Sequence, residues 1–233
     1  MNLTEELWKL QDLKYRDFHS RLVPNIPKER MIGVRTPALR ALGKKAALLR
    51  EGQVFLTDTP HFYYDENNLH GALIEYGRYS FETTLTLIGD FLPLIDNWAT
   101  CDMFIPSVFK KNPAQMLQII PLWLQSDHPY TVRFGVNCLM RDFLDGQFSP
   151  AHFTWLNQIQ NPDYYVKMGI AWYYSIALIK QWDEAFPAIR RGLPDPWIQN
   201  KSIQKARESY RLTNDQKDLL LQYKIPIQKE KVK

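Results

Sequence analysis

Apolar residues return at i, i+3 and i+4 along almost the whole chain, and strict alternation over five or more residues is rare. That pattern predicts amphipathic helices and leaves little that reads as a half-buried strand. Leu3 to Leu22 reads as one such helix, with Leu3, Leu7, Leu10, Leu13, Phe18 and Leu22 along its apolar side. A proline-containing loop follows from Val23 to Arg35. Thr36-Pro37 then supplies an N-cap with proline at the first helical position, so a helix starts there and runs to about Arg50. Asn97, Asn112-Pro113 and Ser149-Pro150 are further start signals. With them the pattern predicts helices at about 65–77, 81–92, 97–111, 113–125, 128–144, 150–159, 163–181, 183–191, 195–209 and 213–223, joined by short loops.

Many short helices in series form either an irregular bundle or a stack of helix pairs. Trp98, Arg133 and Trp172 lie about 35 and 39 residues apart, each early or midway in the first helix of a predicted pair. That spacing is close to the period of HEAT-type repeats, which favours an all-α solenoid of antiparallel pairs. Equivalent positions of stacked pairs line one concave surface, so these three residues are expected to share a groove. No linker, low-complexity stretch or composition break divides the chain. A single domain over 1–233 is expected, with a flexible basic tail from about 225.

Charge is unevenly spread. From Lys180 to Lys233 there are twelve Lys and Arg against seven Asp and Glu, so the net +4 of the chain resides there. This suits an anionic partner, nucleic acid or membrane, although a solvated surface with a lysine tail reads the same way. Cys101 and Cys138 sit in apolar helical contexts and read as reduced core thiols. The five histidines are scattered without metal-ligand spacing, so no metal and no other cofactor is expected. The N-terminal segment Met-Asn-Leu-Thr-Glu-Glu-Leu is acidic and polar, which argues against a signal peptide. The longest apolar run, Ile170 to Ile179, is about half a membrane span. A cytoplasmic protein is expected.

Trp98-Ala99-Thr100-Cys101-Asp102 places an aromatic and a carboxylate at i and i+4, on one face of a helix and amid apolar neighbours. Burying such an acid is costly unless it is paired or hydrogen-bonded. It is either a structural cap or partner of an arginine, or a group placed to act on a developing cation. Trp98 and Trp172 are core residues or walls for a flat or cationic group. Arg133, flanked by Val132 and Phe134, needs a partner: Asp102, a helix end or a phosphate, with Asp142 and Asp145 as structural alternatives. Lys201 and Lys205, one turn apart and close to Arg207, make a candidate stripe for a phosphate backbone. Gly-rich phosphate loops, zinc fingers and Ser/His/Asp arrangements are absent from the sequence.

Several of these segments resemble one family. Met31-Ile32-Gly33-Val34-Arg35-Thr36-Pro37 is similar to the Gly-x-x-Thr-Pro entry segment of AlkD-type DNA alkylation repair proteins. Asn97-Trp98-x-x-x-Asp102 resembles that family's Trp-x-x-x-Asp, Val132-Arg133 its arginine, and Ile170-Ala171-Trp172 its second tryptophan. Order and spacing agree from about Met31 to Tyr210. The resemblance implies a right-handed stack of HEAT-like pairs whose concave, basic face grips double-stranded DNA, as a monomer. It implies excision of positively charged N3- and N7-alkylated purines by cleavage of the N-glycosidic bond. Asp102 would then be the catalytic carboxylate, Trp98 and Trp172 would pack on the lesion's sugar, and Arg133 would hold the backbone. Arg35, Thr36, Lys201 and Lys205 are the expected DNA-binding residues.

The match departs from the family after Trp172. Ser175 stands where typical members carry a basic residue, and Tyr173 and Tyr174 are bulky enough to narrow the cleft. Arg35 replaces a polar uncharged residue of the entry segment. A non-catalytic DNA-structure binder on the same scaffold, or a HEAT-repeat protein scaffold in which Asp102 pairs with Arg133, are the alternatives.

Overall fold

The computed structural model describes residues 1–226. It is all-helical: 68% of the described residues are helical, in fifteen α-helices and two short 3-10 turns, with no strands among them. A lone antiparallel bridge joins Gln11 to Val34. The expected tail beyond Pro226 lies outside the described residues. The chain divides into two compact units, Met1–Pro113 and the remainder from Ala114.

The first unit holds α1 (Leu3–Lys9), α2 (Leu13–His19), α3 (Thr36–Ala46), α4 (Arg50–Thr57), α5 (Tyr64–Tyr76), α6 (Phe81–Phe91), α7 (Trp98–Met103) and α8 (Ser107–Lys111). Helix α5 is its centre, and α3 and α7 both pack on it, with α1, α4 and α6 adding further contacts. Close approach of α3 to α5 depends on Gly43, where a Cβ would stand 2.7 Å from that of Ala72.

Three expectations need correction here. The predicted helix over 3–22 is two helices. The backbone breaks at Leu10–Asp12 because Asp12 caps α2 through Tyr15 N (2.9 Å), while its own N–H donates to Gly33 O (2.9 Å) and Gln11 Nε2 donates to Ile32 O (3.1 Å). Only Leu3 and Leu7 of the predicted apolar side are buried; Leu10, Leu13, Phe18 and Leu22 are exposed. The helix expected to run to Arg50 ends at Ala46, and α4 follows as a separate element. The helix expected over 97–111 breaks at Phe104–Pro106, where extended backbone turns Phe104 and Ile105 into the core. A smaller shift affects Thr36. It is the first helical residue rather than the cap, and Arg35 holds the cap position without a side-chain bond.

The second unit holds α9 (Pro113–Leu124, opening at the boundary), α10 (Pro129–Asp142), α11 (Ala151–Asn157), α12 (Tyr164–Lys180), α13 (Trp182–Arg191), α14 (Pro196–Arg207) and α15 (Asn214–Leu221). Alternate helices pack side by side: α12 lies against both α10 and α14. Tyr130 meets Tyr165 (ring centroids 6.1 Å), Tyr164 meets Trp197 (5.6 Å), and Lys167 pairs with Asp195 (2.8 Å). Early turns therefore meet early turns, and two tight reversals around α13 make α14 run parallel to α12.

Candidate functional site

Helix α7 carries the aromatic–acid pair, and a buried polar network fixes it. Asn97 caps it, its Oδ1 accepting from Thr100 N (2.8 Å) while its Nδ2 donates to Thr100 Oγ1 (3.0 Å). Thr100 Oγ1 donates in turn to Asn68 Oδ1 of α5 (2.7 Å). Asn68 also bonds Tyr64, whose hydroxyl meets His19 Nε2 of α2 (2.7 Å). Burial pushes the His19 pKa below its ordinary value and raises that of Tyr64, so both stay neutral near pH 7. Three helices are thereby bonded through neutral groups that gain nothing by ionising.

On this frame Trp98 is held from two directions. Its indole Nε1 donates to Leu22 O (3.1 Å), and its ring packs on Val23, Ile26, Met31 and Tyr64. Asp102 follows at i+4, half-buried like Trp98, while Thr100 and Cys101 between them point into the core. The pair expected from the sequence thus shares one partly open helix face.

The entry segment is pinned by a residue that sequence reasoning missed. Asp65, fully buried at the start of α5, accepts from the backbone N–H groups of Ile32 (2.7 Å), Gly33 (3.2 Å) and Val34 (2.7 Å). Burial pushes its carboxyl above the ordinary value, and these three donors oppose the shift. Gly33 makes the convergence possible. Its φ is +93°, and a Cβ there would come within 2.5 Å of Arg16 Cβ. Arg35 and Thr36, expected to meet DNA, are exposed. Arg35 also binds within the unit: Nε donates to Asp12 Oδ2 (2.8 Å), and the guanidinium lies over Tyr15 (5.3 Å). The backbone N–H of Tyr15 and the Arg35 guanidinium hold the Asp12 carboxyl below its usual range.

In the second unit Arg133 is bedded between helices, only 5% exposed. Its Nη1 donates to Tyr165 O (2.6 Å), and its side chain crosses α12 at Gly169, where a Cβ would lie 3.6 Å from it. Asp142 pairs with Arg141 (3.1 Å) and Asp145 with Lys180 (2.9 Å). Trp172 belongs to the half-exposed stripe of α12: Tyr165, Met168, Trp172, Ile176 and Ile179. Helix α14, packed on α12, carries Lys201 and Lys205. Both lysines are half-exposed, and Lys201 donates to Gln204 Oε1 (3.1 Å).

Tyr173 and Tyr174 do not narrow any cleft. Both are completely buried, packed on Phe153, with the Tyr174 hydroxyl donating to Asn157 Oδ1 (2.9 Å). Ser175 is buried too and donates to Trp172 O (2.7 Å). Cys101 and Cys138 are buried in the core, as expected. Among the described residues no group of three His, Cys, Asp or Glu is arranged to hold a metal ion, and no helix is long and apolar enough to cross a membrane.

Fold and site define an all-helical protein with a half-open aromatic–carboxylate pair in one unit and, in the other, a partly exposed tryptophan on a helix packed against the one that carries two partly exposed lysines. A family model described as DNA alkylation repair enzyme matches residues 3–189, and the chain belongs to that family. Arg35, Thr36, Trp98, Asp102, Arg133 and Trp172 fall inside the matched range; Lys201 and Lys205 lie beyond it. Membership makes DNA repair the general role and DNA the partner. No curated protein matches the chain.

Proposed function

We propose that the protein is a DNA glycosylase that releases positively charged N3- or N7-alkylated purines from duplex DNA, and that the helix pairs of each unit are HEAT-like repeats. Asp102 is the catalytic carboxylate. The C1′–N bond breaks, its electron pair leaves with the base, and the base departs neutral. The sugar becomes oxocarbenium-like, and Asp102 stabilises that charge and takes a proton from the attacking water. A base that already carries a positive charge needs no protonation, so no separate acid is required.

Trp98 and Trp172 pack on the sugar. Arg133, largely covered, contributes positive potential from beneath the surface, and Arg35, Thr36, Lys201 and Lys205 meet backbone phosphates. The observation that carries this reading is the rigid presentation of Trp98 and Asp102 on one partly open face of α7. Burial of Tyr173 and Tyr174 removes the obstruction that favoured a non-catalytic binder.

The test is an excision assay on duplex DNA carrying N7-methylguanine. Asp102→Asn is expected to lower base release by about 100-fold or more while leaving DNA affinity unchanged. Equal rates for the variant and wild type would remove Asp102 from the chemistry.

A further inference from the structure

Helix α7 is short for an element that must hold a reacting group still. It has six residues, and Asp102 lies in its last turn, next to the final residue Met103. The last four carbonyls of a helix have no intrahelical partner, and so short a helix is marginal without outside support. Asn97 and Thr100 fasten its first turn. Beyond Met103 the backbone at Phe104 is extended, so no further turn follows to hold the end that bears Asp102.

Arg40 holds that end from another helix. Its Nη2 donates to Met103 O, reaching from α3 to the last carbonyl of α7. The guanidinium is itself aimed by the last turn of α5: Nη1 donates to the Tyr76 hydroxyl (3.0 Å), and the Glu75 carboxylate lies 3.4 Å from Nη2. One planar fork thus spans the ends of α5 and α7, which the point charge of a lysine paired with Glu75 would not do. The helix that carries the fork is fixed as well, since Gly43, three residues on, lets α3 settle against Ala72 of α5. The same helix opens with Arg35 at its cap position and Thr36 as its first residue, the two residues of this unit proposed to meet phosphate. Four helical steps separate Thr36 from Arg40, a rise of about 6 Å. A single rigid element therefore joins the phosphate contact to the bond on the acid-bearing end of α7.

We propose that Arg40 is a positioning residue of the site: it clamps the C-terminal end of α7 and sets where the Asp102 carboxylate stands relative to a duplex seated on Arg35 and Thr36. The clamp deepens the reading of Asp102 as the catalytic carboxylate and rests on that reading for its purpose. A displacement of about 1 Å at a reacting group costs about 100-fold in rate, so loss of the clamp is felt in the chemical step rather than in binding.

The test compares wild type with Arg40→Met and Arg40→Lys in the full chain, by two measurements. Single-turnover base release from N7-methylguanine duplex at saturating protein reads the chemical step. Amide hydrogen exchange reads the hold on α7 without reference to catalysis. Arg40→Met keeps the apolar stem and removes every donor. It is expected to slow single-turnover release by about 10- to 100-fold while duplex affinity stays unchanged. Exchange at Cys101, Asp102 and Met103 is expected to rise about tenfold or more, while Leu69 to Leu73 at the centre of α5 keep their protection. Arg40→Lys keeps the charge and offers one donor group to Met103 O. It is expected to fall between the two, and it carries the comparison if the methionine variant does not fold.

Where wild type releases base, undiminished single-turnover release by Arg40→Met overturns the clamp. So does a loss of duplex affinity that saturation fully rescues, which would make Arg40 a phosphate contact. Exchange that rises in α5 as much as in α7 overturns it too, because the role would then be structural for the whole unit. If wild type releases no base while Arg40→Met loosens α7 alone, the glycosylase reading fails and the hold of Arg40 on α7 stands.

Discussion

Thr100 Oγ1 donates to Asn68 Oδ1 at 2.7 Å, a buried bond that fastens the aromatic–acid helix α7 to the centre of the first unit. The same hydroxyl accepts from Asn97 Nδ2, so one oxygen serves the cap of α7 and its attachment at once. Neither Thr100 nor Asn68 is among the residues proposed to touch DNA, yet both set where Trp98 and Asp102 stand.

Thr100→Val keeps the shape and removes the hydroxyl, leaving the Asn68 acceptor and an Asn97 donor unsatisfied in the interior. Urea unfolding is expected to show a loss of about 1–3 kcal/mol. Base release is expected to fall with it under conditions where the variant remains folded. Thr100→Ser restores the hydroxyl and should recover both quantities, an outcome that simple cavity formation would not produce.

Asp65→Asn should be among the most damaging single changes in the first unit. An amide presents one oxygen to three converging N–H groups and adds a donor of its own. The expected cost is about 2–4 kcal/mol, read from the denaturant midpoint. Proteolysis should cut first within residues 31–35, the segment released. Asp65→Glu is not expected to rescue, because the added methylene cannot fit between α5 and that segment.

Stability is expected to fall on acidification below about pH 6.5. His70 is buried, stacked on Phe91 (4.1 Å) and bonded through Nδ1 to His61 Nε2 (2.9 Å); burial and the neighbouring ring push its pKa down to about 3. Burial also lowers His19, His61 and His152. Each folded-state value lies below its unfolded one, so below about pH 6.5 the unfolded chain binds protons that the folded chain refuses. The stabilisation is complete above pH 6.5 and is lost as pH falls toward 3. His70 alone contributes a slope of about 1.4 kcal/mol per pH unit within that window. Chemical denaturation at pH 7, 6, 5 and 4 checks this, and His70→Gln should flatten the profile.

The two adjacent tyrosines of α12 are expected to respond oppositely to the same substitution. Tyr174→Phe deletes a hydroxyl bonded to Asn157 and should cost about 1 kcal/mol. The Tyr173 hydroxyl is buried without a hydrogen-bond partner, so Tyr173→Phe should be neutral or stabilising. Neither change should alter base release, since both rings face the core. A large activity loss in Tyr173→Phe would contradict that placement.

The helices were legible because their starts are chemical: Asn97 caps α7 as expected, and the bounds of α5, α6, α9 and α12 fall within a residue or two of the pattern. Breaks were not legible where apolar spacing stays in phase across them. Asp12, the N-cap of α2, is the one local sign of the break at Leu10–Asp12; bonds to residues 32 and 33, far along the chain, complete it. The run Asp65-Glu66-Asn67-Asn68 is polar throughout, yet all four are buried and each finds a partner in the fold. The site pair itself needed only i, i+4 spacing. Its supports, Asp65, His19, Tyr64 and Asn68, carry a signal only in three dimensions.

Trp98 is anchored by the main chain of residue 22, and every amino acid supplies that carbonyl. Selection can therefore alter the side chain at position 22 without loosening the tryptophan one bond away.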